Sequence, residues 1–409
     1  MPHEQHWRRD NAGPVAPVTV RTQRTVALVV ESGAADDRLR DLLPLFENDL
    51  RIQTVQIAGE GSRFAPSGRT ALESSGGLVL PWNEALRHRF DLGVAAHNGH
   101  NSHLERISAP MLVLPHGMGF SGSVPPGPGF GPPLATPPTV DAVYSTLVRY
   151  GRVTPAALGV AHRNHKELVT RVVPEAEPIC HVVGSTAYDR AVASASLRED
   201  FRRAAGVEDG QRLVVLSSTW GPNSLVGSGF HVVQRLMEEL PRDHKAALLV
   251  HPGVWSAHGA RQIQAWLASA RARGLRILER RASWPSLLVA ADAVLGDHGT
   301  TTFTAAALGK PVVLAGGSSP NTDPRSQARV MLENERWCGP EGSIVRQLDR
   351  AADERLPEKA ELYAGLLTSE PGRSAELLRA LIYRLLELPE PSHPAPTHCL
   401  PVPRFVEEW

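Results

Sequence analysis

The sequence predicts an α/β protein of two Rossmann-like, doubly wound halves that face one another across a central cleft. Three observations carry this. Short apolar runs of strand length alternate with helix-period segments along most of the chain, the pattern of right-handed βαβ units in parallel sheets. Several of those runs end in glycine, histidine or hydroxyl residues, at the strand ends where open α/β sheets hold ligands. A Pro-containing stretch, PEAEP at 174–178, interrupts the alternation near the middle, after which it resumes.

Composition sets the outer limits. A chain of 409 residues is long enough for two full cores, and 42% hydrophobic with 21% charged residues is an ordinary globular balance. The 43 basic and 43 acidic residues cancel, which argues against nucleic acid or an anionic membrane surface as partner. Cys180, Cys338 and Cys399 are widely spaced and form no C-x-x-C pair. Neither a disulfide framework nor a zinc site is indicated, and a reducing cytoplasm is the expected location. No apolar run approaches the roughly 20 residues of a membrane helix, and the N-terminus lacks the apolar core of a signal peptide. Residues 1–22 read as a flexible lead-in.

The first half is expected at 23–177. TVALVVE at 25–31 has the continuous apolar character of a buried parallel strand. A helix is expected at 38–46, with leucines at 39, 42, 43 and 45, then strands at 53–57, 77–80 and 92–95. The run PMLVLPHGMGFSGS at 110–123 is the most suggestive: a strand at 111–114 delivers His116, Gly117 and Gly119 at its carboxyl end. His116 is placed to act as a general base, since imidazole titrates near neutrality, although a histidine that only bonds its own loop is the plainer account. His97, Asn98, His100, Asn101 and His103 form a second polar cluster after 92–95. Their H-x-x-H spacings resemble metal ligands, yet no cysteine is near and Glu105 is the only carboxylate just downstream. An acceptor-side polar pocket containing His97, Asn98, Gly117 and Gly119 is expected in place of a metal. Residues 121–139 are too rich in Pro and Gly for helix or interior strand and form a long loop near the cleft, able to close over a substrate. Helices are expected at 154–160 and 162–173, the latter with His162, His165 and Glu167 on a solvated face.

The second half is expected at 178–372. Strands are read at 180–183, 213–216, 246–250 and 276–278, with a helix at 229–239. The strand at 213–216 ends in Ser217, Ser218 and Thr219, and that at 246–250 ends in His251-Pro252. The stretch LLVAADAVLGDHGTTTFTAAALGKPVVLAGG at 287–317 contains a short helix, a strand at 293–295, the turn Gly296-Asp297-His298-Gly299, a helix opening at Thr300-Thr301-Thr302, and a strand at 311–314. Such a turn presents backbone N–H groups and three hydroxyls at a helix N-terminus, the natural seat of an anion and of phosphate first. Threonine serving only as a helix cap is the alternative. Strand ends at Ser217, His251 and Asp297 fall on one edge of one sheet. A loop at 318–325 follows at the cleft edge, then helices at 326–335, 342–352, 360–368 and 374–388, and a Pro-rich tail at 389–409 with only its aromatic end to bury.

This order of motifs, strand-HG-x-G, strand-Ser-Ser-Thr, strand-His-Pro, and Asp-x-Gly-Thr-Thr before K-P-V-V-L, resembles the GT-B nucleotide-dependent transferases. Within them it is most similar to the CDP-glycerol glycerophosphotransferase group, and more distantly to polysialyltransferases that use CMP-sialic acid. The resemblance implies that the second half holds a nucleotide-activated donor, that the first half holds the acceptor, and that the helix at 373–388 crosses back to the first half. It implies catalytic roles for His116 as base and His251 on the donor phosphate, and phosphate contacts for Thr300 and Thr301. The HG motif here is followed by Met118-Gly119 where the group carries Thr-Pro, and threonines stand in place of its serines.

The expected activity is transfer of a glycosyl or alditol-phosphate group from a CDP-, CMP- or UDP-linked donor to a hydroxyl of a small acceptor. The donor side comprises Ser217, Ser218, Thr219, His251, Asp297, His298, Gly299, Thr300, Thr301 and Thr302. No cofactor beyond the donor is expected, and no metal, because Asp297 has no carboxylate partner in its own turn. The partners expected are the donor and the acceptor, with a homodimer as the one protein partner considered. Two alternatives stand beside this reading: a nucleotide-sugar epimerase of the UDP-GlcNAc 2-epimerase type, and a catalytically silent nucleotide-binding protein.

Overall fold

Two parallel sheets, each buried on both faces, organise the molecule. The structure is a computed structural model and describes residues 19–60, 68–69, 72, 75–96, 103–115, 117, 138–317 and 326–407. The first sheet contains β1 (Arg24–Val30), β2 (Ile52–Ala58), β3 (Val79–Pro81), β4 (Leu92–Ala96), β5 (Met111–Leu114), β8 (Ala157–Val160) and β9 (Cys180–Val182). A short antiparallel hairpin, β6 (Val148–Arg149) and β7 (Arg152–Val153), stands outside it. The spatial order is β3-β2-β1-β4-β5-β8-β9, and the pairings are parallel. The second sheet contains β10 (Arg212–Ser218), β11 (His244–Val250), β12 (Arg276–Ile277), β13 (Ala293–Gly296), β14 (Val312–Leu314) and β15 (Arg336–Trp337), in the order β12-β11-β10-β13-β14-β15. Both sheets reverse their winding once, between β1 and β4 and between β10 and β13. Those crevices, at the carboxyl ends of the strands, are where doubly wound sheets bind ligands.

Alternation along each central strand feeds two apolar layers. Val26, Leu28 and Val30 of β1 face one layer, and Ala27 and Val29 the other. Leu213 and Val215 of β10 are divided in the same way from Val214 and Leu216. The helix Ser374–Leu385 belongs to the first half although it follows the second: Leu378, Leu381, Ile382 and Tyr383 pack with Val26 and Leu28. Its end is pinned where Tyr383 Oη donates to Asp49 Oδ2 at 2.7 Å and Arg24 Nε donates to the Leu386 carbonyl at 2.8 Å. Arg51 hydrogen bonds and Tyr383 hold the Asp49 carboxyl down to about 2.

Several elements differ from expectation. The helix expected at 154–160 is instead strand β8, with Ala157, Leu158 and Val160 almost wholly buried. A short apolar run has no decisive period, and here the gap between β5 and β9 settles it. Gly159 fits that gap because a Cβ would lie 2.6 Å from Leu114 Cδ2. The helix expected at 38–46 starts earlier, at Gly33, because Ser32 caps it by accepting from the Ala35 N–H at 3.0 Å; a separate 3-10 turn carries Leu43–Phe46. Strand β9 closes the first sheet, so the change of sheet falls after Val182 rather than near 178. Strand β15 had no clear apolar signal, both of its residues being exposed. His165 is buried rather than solvated, and burial pushes its imidazole down to about 4, while His162 caps its helix by accepting from the Asn164 N–H.

The tail also buries more than its end. Leu400 is 5% exposed and Phe405 8%. The Leu400 N–H donates to Ser194 Oγ at 2.8 Å, the Val406 N–H donates to the Ile277 carbonyl at 2.8 Å, and the Arg276 guanidinium lies 4.0 Å over the Phe405 ring. His398 contacts Glu47 of the first half at 2.7 Å. The tail thus runs from the first half to the open edge of the second sheet.

Candidate functional site

The second crevice gathers the sequence-predicted donor residues. Neighbouring strands β10 and β13 deliver Thr219 and Asp297 side by side, and β11 delivers His251 next to them. The helix Thr300–Ala307 begins just beyond β13, with Gly299 at its N-cap and no side-chain cap. The start of a helix carries the positive end of its dipole and favours an anion. His251 opens the helix Pro252–Trp266, its Nδ1 accepting from the Gly253 N–H at 2.9 Å. That bond fixes the ring and leaves Nε2 as its other polar edge.

The structure divides the predicted residues in two. Thr219, His251, His298, Thr300 and Thr301 are half-buried and border the crevice. Ser217, Ser218, Asp297, Gly299 and Thr302 lie beneath it. Ser218 Oγ accepts from the Val226 N–H and donates to the Thr219 carbonyl, both at 3.0 Å. Thr302 is fully buried and its Oγ1 lies 2.3 Å from where a Cβ on Gly296 would sit, so that glycine makes the room it occupies. Asp297, 1% exposed, accepts four hydrogen bonds: from the Thr219 N–H and Oγ1 at 2.8 Å each, the Leu225 N–H at 2.9 Å and the Gly299 N–H at 3.2 Å. Burial raises its carboxyl pKa, against the lowering effect of His298 and of these bonds. His298 carries a buried Nδ1 without a hydrogen-bond partner.

Residues outside the motifs complete the wall. The turn after β10 carries Asn223 against Gly316 and Gly317 at the end of β14, and Ser228, the last residue of the helix Leu225–Ser228, against Gly317; the Gly317 N–H donates to the Asn223 carbonyl at 3.1 Å. The Gly-Gly doublet was the only sequence signal for that approach, and Asn223 gave none.

The two halves meet at this crevice. Gly117, with φ +65°, comes so close to Thr300 that a Cβ on it would lie 2.7 Å from Thr300 Oγ1. Beside it, the helix Gly33–Arg40 of the first half reaches across. Asp36, 1% exposed, lies 3.2 Å from Arg281 Nε of the second half and 3.2 Å from Arg40 Nε. Asp41 pairs with Arg190, and Arg38 donates to Thr186 Oγ1. No signal in the sequence joined Asp36 to Arg281, Asp41 to Arg190 or Arg38 to Thr186, because each of these pairs spans more than a hundred positions.

His97, Asn98, His100, Asn101, His116 and Gly119, with the loops expected at 121–139 and 318–325 except for 138–139, lie outside the described residues. Within the rest of the polar cluster, His103 Nδ1 is 3.8 Å from Glu105. Among the described residues no group of three or more His, Cys, Asp or Glu is arranged as a metal site, and no helix is long and apolar enough to cross a membrane.

No protein-family model and no curated protein sequence matches this chain. Solved structures do. The wall teichoic acid polymerase TagF, in a form soaked with CDPG, superposes with a TM-score of 0.62 at 12% identity over 90% of each chain. TagF without that addition gives 0.58 at 11% identity, again over 90% of each chain. HepE from Anabaena, in complex with UDP and glucose, gives 0.49 at 15% identity over 89% of this chain and 100% of its own. The fold is therefore GT-B: two Rossmann-like domains facing a central cleft, in the arrangement of TagF.

Proposed function

We propose that the protein is a GT-B transferase that moves a glycosyl or alditol-phosphate group from a nucleotide-linked donor to a hydroxyl of a small acceptor. The observation that carries this reading is the uncapped start of the helix Thr300–Ala307 at the β10/β13 crevice, flanked by His251 and faced across the cleft by Gly117. As the bond to the leaving nucleoside phosphate breaks, the electron pair goes to a phosphate oxygen. The helix start, the Thr300 and Thr301 hydroxyls and the Nε2–H that His251 carries while its Nδ1 accepts from the Gly253 N–H are suited to stabilise the charge that develops there. The acceptor oxygen forms the new bond, and its proton passes to His116, which directly precedes Gly117 in the chain. In this reading no metal is required: the nearest carboxylate, Asp297, has its oxygens directed to four protein donors. The likeness to TagF soaked with CDPG supports a cytidine-linked donor, with a uridine-linked one as runner-up.

The test is His116→Ala, assayed for both turnover and nucleotide binding. Loss of turnover with binding retained is the expected result. Unchanged turnover removes His116 from the mechanism, and conversion of a nucleotide sugar without any acceptor replaces the transferase with an epimerase.

A further inference from the structure

We propose that Asp297 is a positioning residue of the donor site rather than a ligand of the donor, an inference that rests on the phosphate-binding reading above. Its carboxylate lies under the crevice, 1% exposed, and both oxygens are occupied by protein donors. Oδ2 takes the Thr219 N–H, the Thr219 hydroxyl and the Leu225 N–H, while Oδ1 takes the Gly299 N–H. One side chain thus ties together three segments: the end of β10, the start of the helix Leu225–Ser228 that follows it, and the turn that opens the helix Thr300–Ala307. Of the roughly four acceptor sites of a carboxylate, those of Oδ2 are fully taken, and the one left on Oδ1 belongs to a side chain that is only 1% exposed. A direct contact with a phosphate oxygen would also set like charges against each other.

The tie has a geometric consequence for the neighbouring groups. By holding the Gly299 N–H inward, Asp297 sets the direction from which the first turn of the helix presents its next amides. By holding Thr219, it presses that residue against the turn: a Cβ on Gly299 would lie 2.3 Å from Thr219 Cγ2. The same strand end is braced by Ser218, whose Oγ accepts from Val226 and whose carbonyl accepts the His251 N–H at 3.0 Å. Asp297 therefore sits at the junction of the three strand ends whose side chains face the donor. The charge on the carboxylate matters to this role, because hydrogen bonds to an ionised acceptor are roughly twice as strong as neutral ones.

Three variants separate the roles. Asp297→Asn keeps an oxygen for Thr219 and Leu225 but turns an NH₂ group toward the Gly299 N–H. Thr219→Val removes one donor while keeping the shape, and Thr219→Ser restores that donor. Hydrogen exchange is followed in the free protein over 217–228 and 296–303, and affinity for CDP and UDP is measured by calorimetry. The expected result is faster exchange confined to these two segments in Asp297→Asn and Thr219→Val, with affinity for the nucleotide that binds reduced roughly tenfold. Thr219→Ser should recover most of both. Weakened binding with exchange unchanged would make Asp297 a direct ligand contact and overturn the proposal. Faster exchange with affinity unchanged, or exchange raised throughout the molecule, would reduce it to a structural residue. If the wild-type protein binds neither nucleotide, the donor-site reading fails and the positioning role fails with it, while local exchange still reports whether the tie exists.

Discussion

Gly117 and Thr300 touch across the cleft, one from each half. Gly117 has φ +65°, and a Cβ there would lie 2.7 Å from Thr300 Oγ1. Gly117 is at once a backbone requirement and a steric one. The contact sets the residue after His116 against Thr300, the first residue of the helix Thr300–Ala307, and under the proposed function it brings the two halves together at the phosphate end of the crevice.

A double-mutant cycle separates the two requirements. Gly117→Ala should cost about 1–2 kcal/mol of stability from the left-handed backbone alone, and should lower turnover further by displacing Thr300. Thr300→Ala removes both the clash and a hydroxyl assigned to the donor phosphate, so the double variant should lose less turnover than the two single losses combined, while the backbone part of the stability cost remains. Strictly additive effects on turnover in the cycle would mean that the two residues do not meet in the working enzyme.

The Asp36–Arg281 pair makes a prediction about coupling between the halves. Asp36 is almost fully buried with guanidinium groups on both sides. Arg281→Met removes one of them and leaves Arg40, so the cost should be about 2 kcal/mol, below that of a buried charge stripped of every partner. Urea unfolding should show the loss, and the two halves should begin to unfold at separate midpoints. A single transition at the wild-type midpoint would mean that the pair contributes nothing to domain coupling.

His165 predicts a pH dependence. Burial holds its folded pKa at about 4, below the roughly 6.5 of an unfolded histidine. As pH falls, the unfolded chain takes up the proton first, so the stability contribution is complete above about pH 6.5 and lost between there and about pH 4. The loss should reach about 3 kcal/mol. Urea midpoints measured across that window should fall in the wild type and flatten in His165→Gln.

Much of the architecture was legible because parallel strands buried on both faces are nearly continuous apolar runs. TVALVVE and LLVAADAVLG announce β1 and β13 without help from tertiary context. Where a run was short or its period mixed, context decided instead. Ala157–Val160 became a strand because a place in the sheet was open between β5 and β9. His165 looked solvated because its neighbours Asn164 and Glu167 are polar, yet its own face turns to the core. At the β10/β13 crevice, the residue types at the strand ends were readable. Which of them face the crevice was not, since Ser217, Ser218, Asp297 and Thr302 are turned under it by hydrogen bonds and packing that no local pattern reveals.

The tail offers another such case. Its prolines suggest a loose end, but Phe405 is buried beneath Arg276 and forms a bridge with Leu278. Phe405→Ala should destabilise the second half by about 3 kcal/mol. The wild-type midpoint for that variant would show the tail to be passive.

The most direct test of the central claim is thermal stabilisation of the wild-type protein by CMP, CDP, UMP, UDP, GDP and ADP. A ligand at about 100 times its Kd adds roughly 2.7 kcal/mol to the folded state. The account predicts a raised Tm with the cytidine nucleotides, and with uridine nucleotides if the donor is a UDP-sugar, the shift disappearing when His251 and Thr300 are replaced together by alanine. No shift with any of the six would contradict the assignment of the crevice at Asp297–Thr301 as a nucleotide-phosphate site.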